Sequence, residues 1–155
     1  MLQTNKLNAF YGEAQVLRNV SISVDQGQVV VMLGPNGHGK STLLKAICGL
    51  AARVEGRIHY QGQEIQGRAA EKIVNLGITY IAENRELFPD MTVLENLKLG
   101  AYSKNARPHE KENLEKVFDL FPRLKDRKKQ YASTMSGGEA RMLAVARGLM
   151  SNADL

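Results

Sequence analysis

Hydrophobic and polar positions along the chain change period several times, and each change predicts a different kind of element. Residues Leu2 to Phe10 and Val16 to Val24 read as strands, the second setting Val20, Ile22 and Val24 against Ser21 and Ser23 in the two-residue alternation of a half-buried sheet. Asp25-Gln26-Gly27-Gln28 carries turn chemistry and leads into a wholly apolar run, Val29-Val30-Val31-Met32-Leu33, predicted to be a strand buried on both faces. Leu43, Leu44 and Ile47 then repeat at helical spacing. Gly56 to Tyr60 with Gln61-Gly62-Gln63 predicts a hairpin, Ala69 to Leu76 a short helix closed by Gly77, and Ile78 to Ile81 another short strand.

Beyond that point the pattern is helical. Thr92 and Glu95 stand at capping-box spacing before a helix from Val93 to Leu99. Leu114, Val117, Phe118 and Phe121 form the apolar stripe of a further helix that Pro122 should terminate. Met142, Leu143, Val145, Ala146 and Leu149 mark a last one. The order is an antiparallel β region, a strand–loop–helix unit and a helical region.

Between the apolar run and its helix lies Gly34-Pro35-Asn36-Gly37-His38-Gly39-Lys40-Ser41, which fills every fixed position of the phosphate-binding loop of nucleotide triphosphate binders. A triphosphate crowds several negative charges, so its site needs many donors and no side chains in the way. Gly34, Gly37 and Gly39 let successive N–H groups curl into an anion-binding nest, Pro35 stiffens the entry, and the following helix offers free N–H groups at its start. Lys40 is placed to reach the β- and γ-phosphates, the Ser41 hydroxyl to ligate Mg²⁺, and Thr42 to add a phosphate contact. His38 is read as pointing outward, since positions between the glycines usually do.

Composition adds bounds rather than chemistry. With 155 residues the chain can bury a sizeable core, and its net charge of +5 suits an anionic ligand without implying nucleic acid. The densest basic stretch, Arg123 to Lys129, has no interleaved aromatics and reads as a solvated connection between helices. The apolar runs are too short to span a bilayer, the N-terminus does not read as a signal peptide, and a cytoplasmic chain is expected. The one cysteine, Cys48, falls on the apolar side of its helix, as a core thiol would.

A second motif narrows the reading. In Met135-Ser136-Gly137-Gly138-Glu139, Ser136 and Glu139 again have capping-box spacing, and the two glycines leave first-turn N–H groups unshielded for an anion. About a hundred residues after a phosphate-binding loop, this run resembles the signature motif of ATP-binding-cassette (ABC) ATPases. The resemblance covers essentially the whole chain. It implies an α/β P-loop fold with an N-terminal antiparallel β region and a helical signature subdomain, incomplete at the C-terminus. The ATP-binding core would occupy about residues 1–82, and the Q-loop region with the helical subdomain about 83–155. Tyr11 matches the aromatic on which such proteins stack adenine, and Glu83 stands where they usually carry the glutamine that contacts Mg²⁺ and the attacking water. Glu83-Asn84-Arg85 through Phe88-Pro89 to Thr92-Val93-Leu94-Glu95-Asn96-Leu97 is similar to the importers of branched-chain amino acids, as is Leu120-Phe121-Pro122-Arg123-Leu124.

From the resemblance follow further expectations. Two subunits, identical or different, would sandwich each ATP and its Mg²⁺ between the loop Gly34 to Thr42 of one and Ser136, Gly137, Gly138 and Glu139 of the other. Closure would act on transmembrane permease subunits through a surface near Glu83 to Leu99, at the inner face of the membrane, with a periplasmic solute-binding protein as an indirect partner. In the family an apolar strand ending in Asp-Glu follows the position of Leu155, so the 155-residue chain alone is expected to fold loosely or aggregate and not to turn ATP over. The alternatives are a non-hydrolysing nucleotide-binding fragment, an importer ATPase for another small polar solute such as urea, and a soluble cassette ATPase acting on nucleic acid or ribosomes.

Overall fold

The computed structural model describes residues 1–51, 53–82 and 86–155. They form two compact units, Met1–Ile73 and Val74–Leu155.

In the first unit, β1 (Leu2–Tyr11), β2 (Ala14–Val20), β3 (Ser23–Val24), β4 (Arg53–Tyr60) and β5 (Gln63–Glu64) make one five-stranded sheet, and helix α1 (Lys40–Ile47) packs on it. The order is β2-β1-β4-β5, with β3 also on β1, and every pair is antiparallel. Along β1, Leu2, Thr4, Leu7 and Ala9 are buried, which is a two-residue alternation that slips by one at Asn5 and Lys6. A bulge causes the slip: Lys6 has φ 46°, and the register against β4 shifts between Asn5 and Asn8. Opposite it, Gly56 has φ 97°, and a Cβ there would stand 2.5 Å from the Lys6 carbonyl oxygen. The expected strand Val16 to Val24 is split for a related reason. The Thr4 hydroxyl donates to the Val20 carbonyl (3.2 Å) and accepts from the Ile22 amide (3.0 Å), taking over contacts a continuous ladder would make.

Two expected strands are not formed. Val29–Leu33 has no strand pairing among the described residues, and Val29, Val31 and Leu33 are 92%, 71% and 90% exposed. A helix closes its own hydrogen bonds, whereas an extended segment needs a neighbour, and apolar character alone does not provide one. Ile78 to Ile81 is also irregular, although the Thr79 amide donates to the Leu155 carbonyl at 2.8 Å and the Asp154 amide to the Gly77 carbonyl at 2.9 Å.

The second unit is helical: α2 (Ala70–Val74) leads into it, followed by α3 (Val93–Gly100), α4 (Glu110–Leu120), α5 (Pro122–Asp126) and α6 (Gly137–Leu149). Pro122 does end α4, and it also opens α5, where a missing N–H costs nothing. Val93, Leu97, Val117, Phe118, Leu124, Leu143, Ala146 and Met150 form the core between these helices. Asn96 is fully buried within it and satisfied on both sides of its amide. Its Nδ2 donates to the carbonyls of Phe88 (3.0 Å), Met91 (3.3 Å) and Thr92 (3.0 Å), and its Oδ1 accepts from the Phe88 amide (3.0 Å). That single side chain fixes the turn that enters α3.

Candidate phosphate-binding and signature sites

In the loop, Gly34 to His38 are exposed, Gly39 is buried, and α1 begins at Lys40. Gly37 and Gly39 both have φ 82°, the left-handed conformation that turns consecutive N–H groups toward one side. Gly39 is also the point where the loop rests on the sheet, because a Cβ there would meet Leu17 Cδ2 at 2.8 Å and Val16 Cγ1 at 3.4 Å. Thr42 is buried and Ser41 exposed in the first turn, so the Ser41 hydroxyl is the one accessible to a ligand.

Lys40 folds back across the loop, its Nζ donating to the carbonyls of Gly34 and Pro35, each at 2.7 Å. The ammonium is thereby held over the strand-side end of the nest. His38 is exposed, and its Nδ1 lies 3.1 Å from the Asn36 carbonyl. A carbonyl only accepts, so the ring carries its proton on Nδ1 for this bond.

Tyr11 ends β1, is 44% exposed, and pairs with Ala14 across the β1–β2 hairpin. Ala9, two residues earlier, faces Leu17. The ring's strand position is therefore about 7 Å along the sheet from the residue that supports Gly39. Glu83 lies outside the described residues. Cys48 is buried, and burial pushes its thiol up to about 11, as suits an inert core position.

The signature stretch belongs to the second unit. Ser136 caps α6, accepting from the Glu139 amide at 3.4 Å, while the Ser136 amide (3.0 Å) and hydroxyl (2.9 Å) both donate to Glu139 Oε2. The Ser136 amide and hydroxyl, assisted by the Arg127 and, more weakly, the Arg123 guanidinium, hold the Glu139 carboxyl below its ordinary range. Gly137 and Gly138 are exposed. Arg127, with Nε 3.5 Å from Glu139 Oε1, was not singled out by the sequence pattern, because a run of basic residues does not reveal which of them turns inward.

The open cradle at Gly34 and Gly37, where an added Cβ would meet nothing within 4 Å, and the cationic Lys40 fit a polyphosphate. Among the described residues there is no cluster of three or more His, Cys, Asp or Glu able to hold a metal ion. That donor set fits Mg²⁺ only as an ion carried largely by phosphate oxygens, with Ser41 as a protein ligand.

The sequence profile of the ABC transporter family matches residues 17–155. The chain belongs to the ABC transporter family. Among similar ABC proteins, the high-affinity branched-chain amino acid transport ATP-binding protein BraG of Pseudomonas aeruginosa is 42% identical over 155 residues, covering 100% of this chain and 66% of BraG. The probable branched-chain amino acid transport ATP-binding protein LivF of Archaeoglobus fulgidus is 39% identical, covering 100% of this chain and 65% of LivF. A crystal structure of a nucleotide-free ATP-binding cassette from an ABC transporter superposes with a TM-score of 0.76 at 32% identity, covering 98% of this chain and 65% of the cassette. This ABC chain thus spans about two thirds of the length of the curated relatives it matches. The ABC ATPase fold, with its antiparallel sheet and helices, is established by these matches. Among the described residues no helix is long and apolar enough to cross a membrane.

Proposed function

We propose that this chain is the nucleotide-binding part of the ATPase subunit of an importer for branched-chain amino acids, coupling ATP binding and hydrolysis to transport. The observation that carries the nucleotide assignment is the loop itself: the left-handed Gly37 and Gly39 run into α1, and Lys40 is held across the loop by two backbone carbonyls. The solute assignment is supported by the names of BraG and LivF. In this reading Gly34, Pro35, Asn36, Gly37, His38, Gly39, Lys40 and Ser41 cradle the phosphates, Thr42 joins them through its backbone N–H because its side chain is buried, Tyr11 stacks adenine, and Ser41 with Glu83 holds Mg²⁺. Ser136, Gly137, Gly138 and Glu139 face the ATP of a second subunit. His38 contributes its backbone, because its ring is tied to the Asn36 carbonyl.

The permease-facing surface lies in the second unit, where Tyr80, Phe88, Leu99, Tyr102 and Arg147 line a cleft of about 550 Å³. An aromatic and apolar cleft of this kind suits a short protein segment at the inner face of the membrane. Lys40→Ala should abolish ATP binding measured by calorimetry; unchanged affinity would overturn the nucleotide assignment. The 155-residue chain alone is expected to bind ATP without turning it over, a reading favoured by Val29 to Leu33, which has no strand pairing among the described residues and leaves Val29, Val31 and Leu33 exposed. Full turnover by that chain in a phosphate-release assay would contradict it.

A further inference from the structure

The basic stretch Arg123 to Lys129 has no part in the function proposed above, yet one of its members turns toward the signature. Arg123, Lys125, Lys128 and Lys129 are exposed. Arg127, which follows α5, is partly buried, its Nε 3.5 Å from Glu139 Oε1 and its Nη1 donating to Gln130 Oε1 at 3.0 Å. Gln130 in turn donates through Nε2 to Thr134 Oγ1 at 2.9 Å. A continuous set of polar contacts therefore runs from α5 to the start of α6. The segment is anchored on its other side by the α3 entrance, where the Val93 and Leu94 amides donate to the Gln130 and Lys128 carbonyls at 2.9 and 3.0 Å.

Glu139 poses an electrostatic problem for a helix start meant to face phosphate. Glu139 as a residue is only 7% exposed, and its carboxylate sits in the first turn of α6 and carries a negative charge beside Gly137 and Gly138. A like charge this close opposes an arriving anion unless it is compensated. The Ser136 hydroxyl sharpens the problem. It has one proton, and it donates that proton in a hydrogen bond to Glu139 Oε2. To donate to a phosphate oxygen the hydroxyl must rotate away, which removes one donor from the carboxylate as the new negative charge approaches. What then remains in contact with Glu139 is the Ser136 amide and the Arg127 guanidinium, with the Arg123 charge acting from farther off.

We propose that Arg127 is a positioning residue of the signature motif, which neutralises and holds Glu139 so that the Ser136 hydroxyl and the Gly137–Gly138 turn can serve the ATP of a second subunit. The inference rests on the two-subunit reading above. Its role is greater with ATP present than without it, because the exchange of the Ser136 proton shifts the burden of the carboxylate onto the guanidinium. It also requires Glu139: with a neutral amide at that position there is no charge to compensate.

The test is a double-mutant cycle in the native gene product, reading the ATP concentration for half-maximal pairing of subunits by sedimentation, alongside thermal unfolding without nucleotide. Arg127→Gln is expected to raise that concentration about tenfold, as the loss of one partly shielded ion pair would, while shifting the nucleotide-free unfolding temperature little. In the Glu139→Gln background the same substitution is expected to change it less than about twofold. Arg127→Lys, which keeps the charge and loses the planar fork, should fall between wild type and Arg127→Gln. Lys129→Gln, which removes another exposed charge of the run, should have little effect. An equal factor in both backgrounds, or a nucleotide-free destabilisation that accounts for the whole effect, would overturn the role assigned to Arg127. If Ser136→Ala leaves ATP-driven pairing unchanged as well, the signature assignment itself falls and takes this inference with it; a large Ser136→Ala effect beside a null cycle confines the failure to Arg127.

Discussion

The two glycine-rich helix starts differ in what holds them. The signature start is self-contained: Ser136 and Glu139 satisfy each other's backbone N–H groups, and α6 behind them buries Leu143, Ala146 and, just past its end, Met150 against α3. The phosphate-binding loop leans on its surroundings. Its far side rests on Leu17 and Val16 through Gly39, but the segment that leads into it, Val29 to Leu33, is exposed and unpaired among the described residues. Both motifs are equally plain as residue patterns, so the difference lies in what each needs from the rest of the chain. A helix start needs a cap within four residues; a strand–loop–helix unit needs neighbouring strands.

That contrast can be broken most directly by truncating one apolar residue on each side. Leu97→Ala, in the closed core of the second unit, should cost about 2–5 kcal/mol, whereas Val31→Ala should stay within about 0.5 kcal/mol in the 155-residue chain. Urea unfolding measures both, and a large loss at Val31 would mean that the segment is packed in solution. Gly39→Ala comes next. It combines a left-handed backbone with a contact on Leu17, so a loss of about 1–3 kcal/mol is expected, together with weaker ATP binding by calorimetry.

Removing a cap has a smaller effect. Thr92→Ala deletes the hydroxyl that accepts from the Glu95 amide at 3.2 Å and should cost about 1 kcal/mol, seen as a shift of the urea midpoint. Much of the fold was legible at this level: the capping boxes at Thr92 and Ser136, the hairpin at Gln61-Gly62 and the helix stop at Pro122 are all local chemistry. The bulge at Lys6 was not legible, because it answers to Gly56 some fifty positions away. Nor was the Asn96 clamp, whose partners depend on how the turn before α3 folds back.

The smallest effect concerns acid. The Thr92 hydroxyl and amide hold the Glu95 carboxyl below its ordinary 4.5, and the Ser136 amide and hydroxyl do the same for Glu139. A folded-state value lowered in this way stabilises the fold above the unfolded-state value, and the contribution disappears as pH falls through the lower one. Glu95→Gln should therefore reduce the urea midpoint at about pH 7 and lose that effect once acid has protonated the Glu95 carboxyl in the folded state. A difference that persists in acid would mean that the carboxylate charge is not what the cap uses.

The sequence by itself determined the phosphate-binding loop, the signature start, both capping boxes and the helical stripes, because each depends on residue types within a few positions of one another. Tertiary structure decided that Lys40 folds onto the Gly34 and Pro35 carbonyls, that Arg127 comes within 3.5 Å of Glu139, and that Val29 to Leu33 has no strand pairing among the described residues. Those outcomes depend on what the folded chain brings alongside each residue: an ion pair needs a partner from another element, and an extended segment becomes a strand only when a neighbour offers it hydrogen bonds.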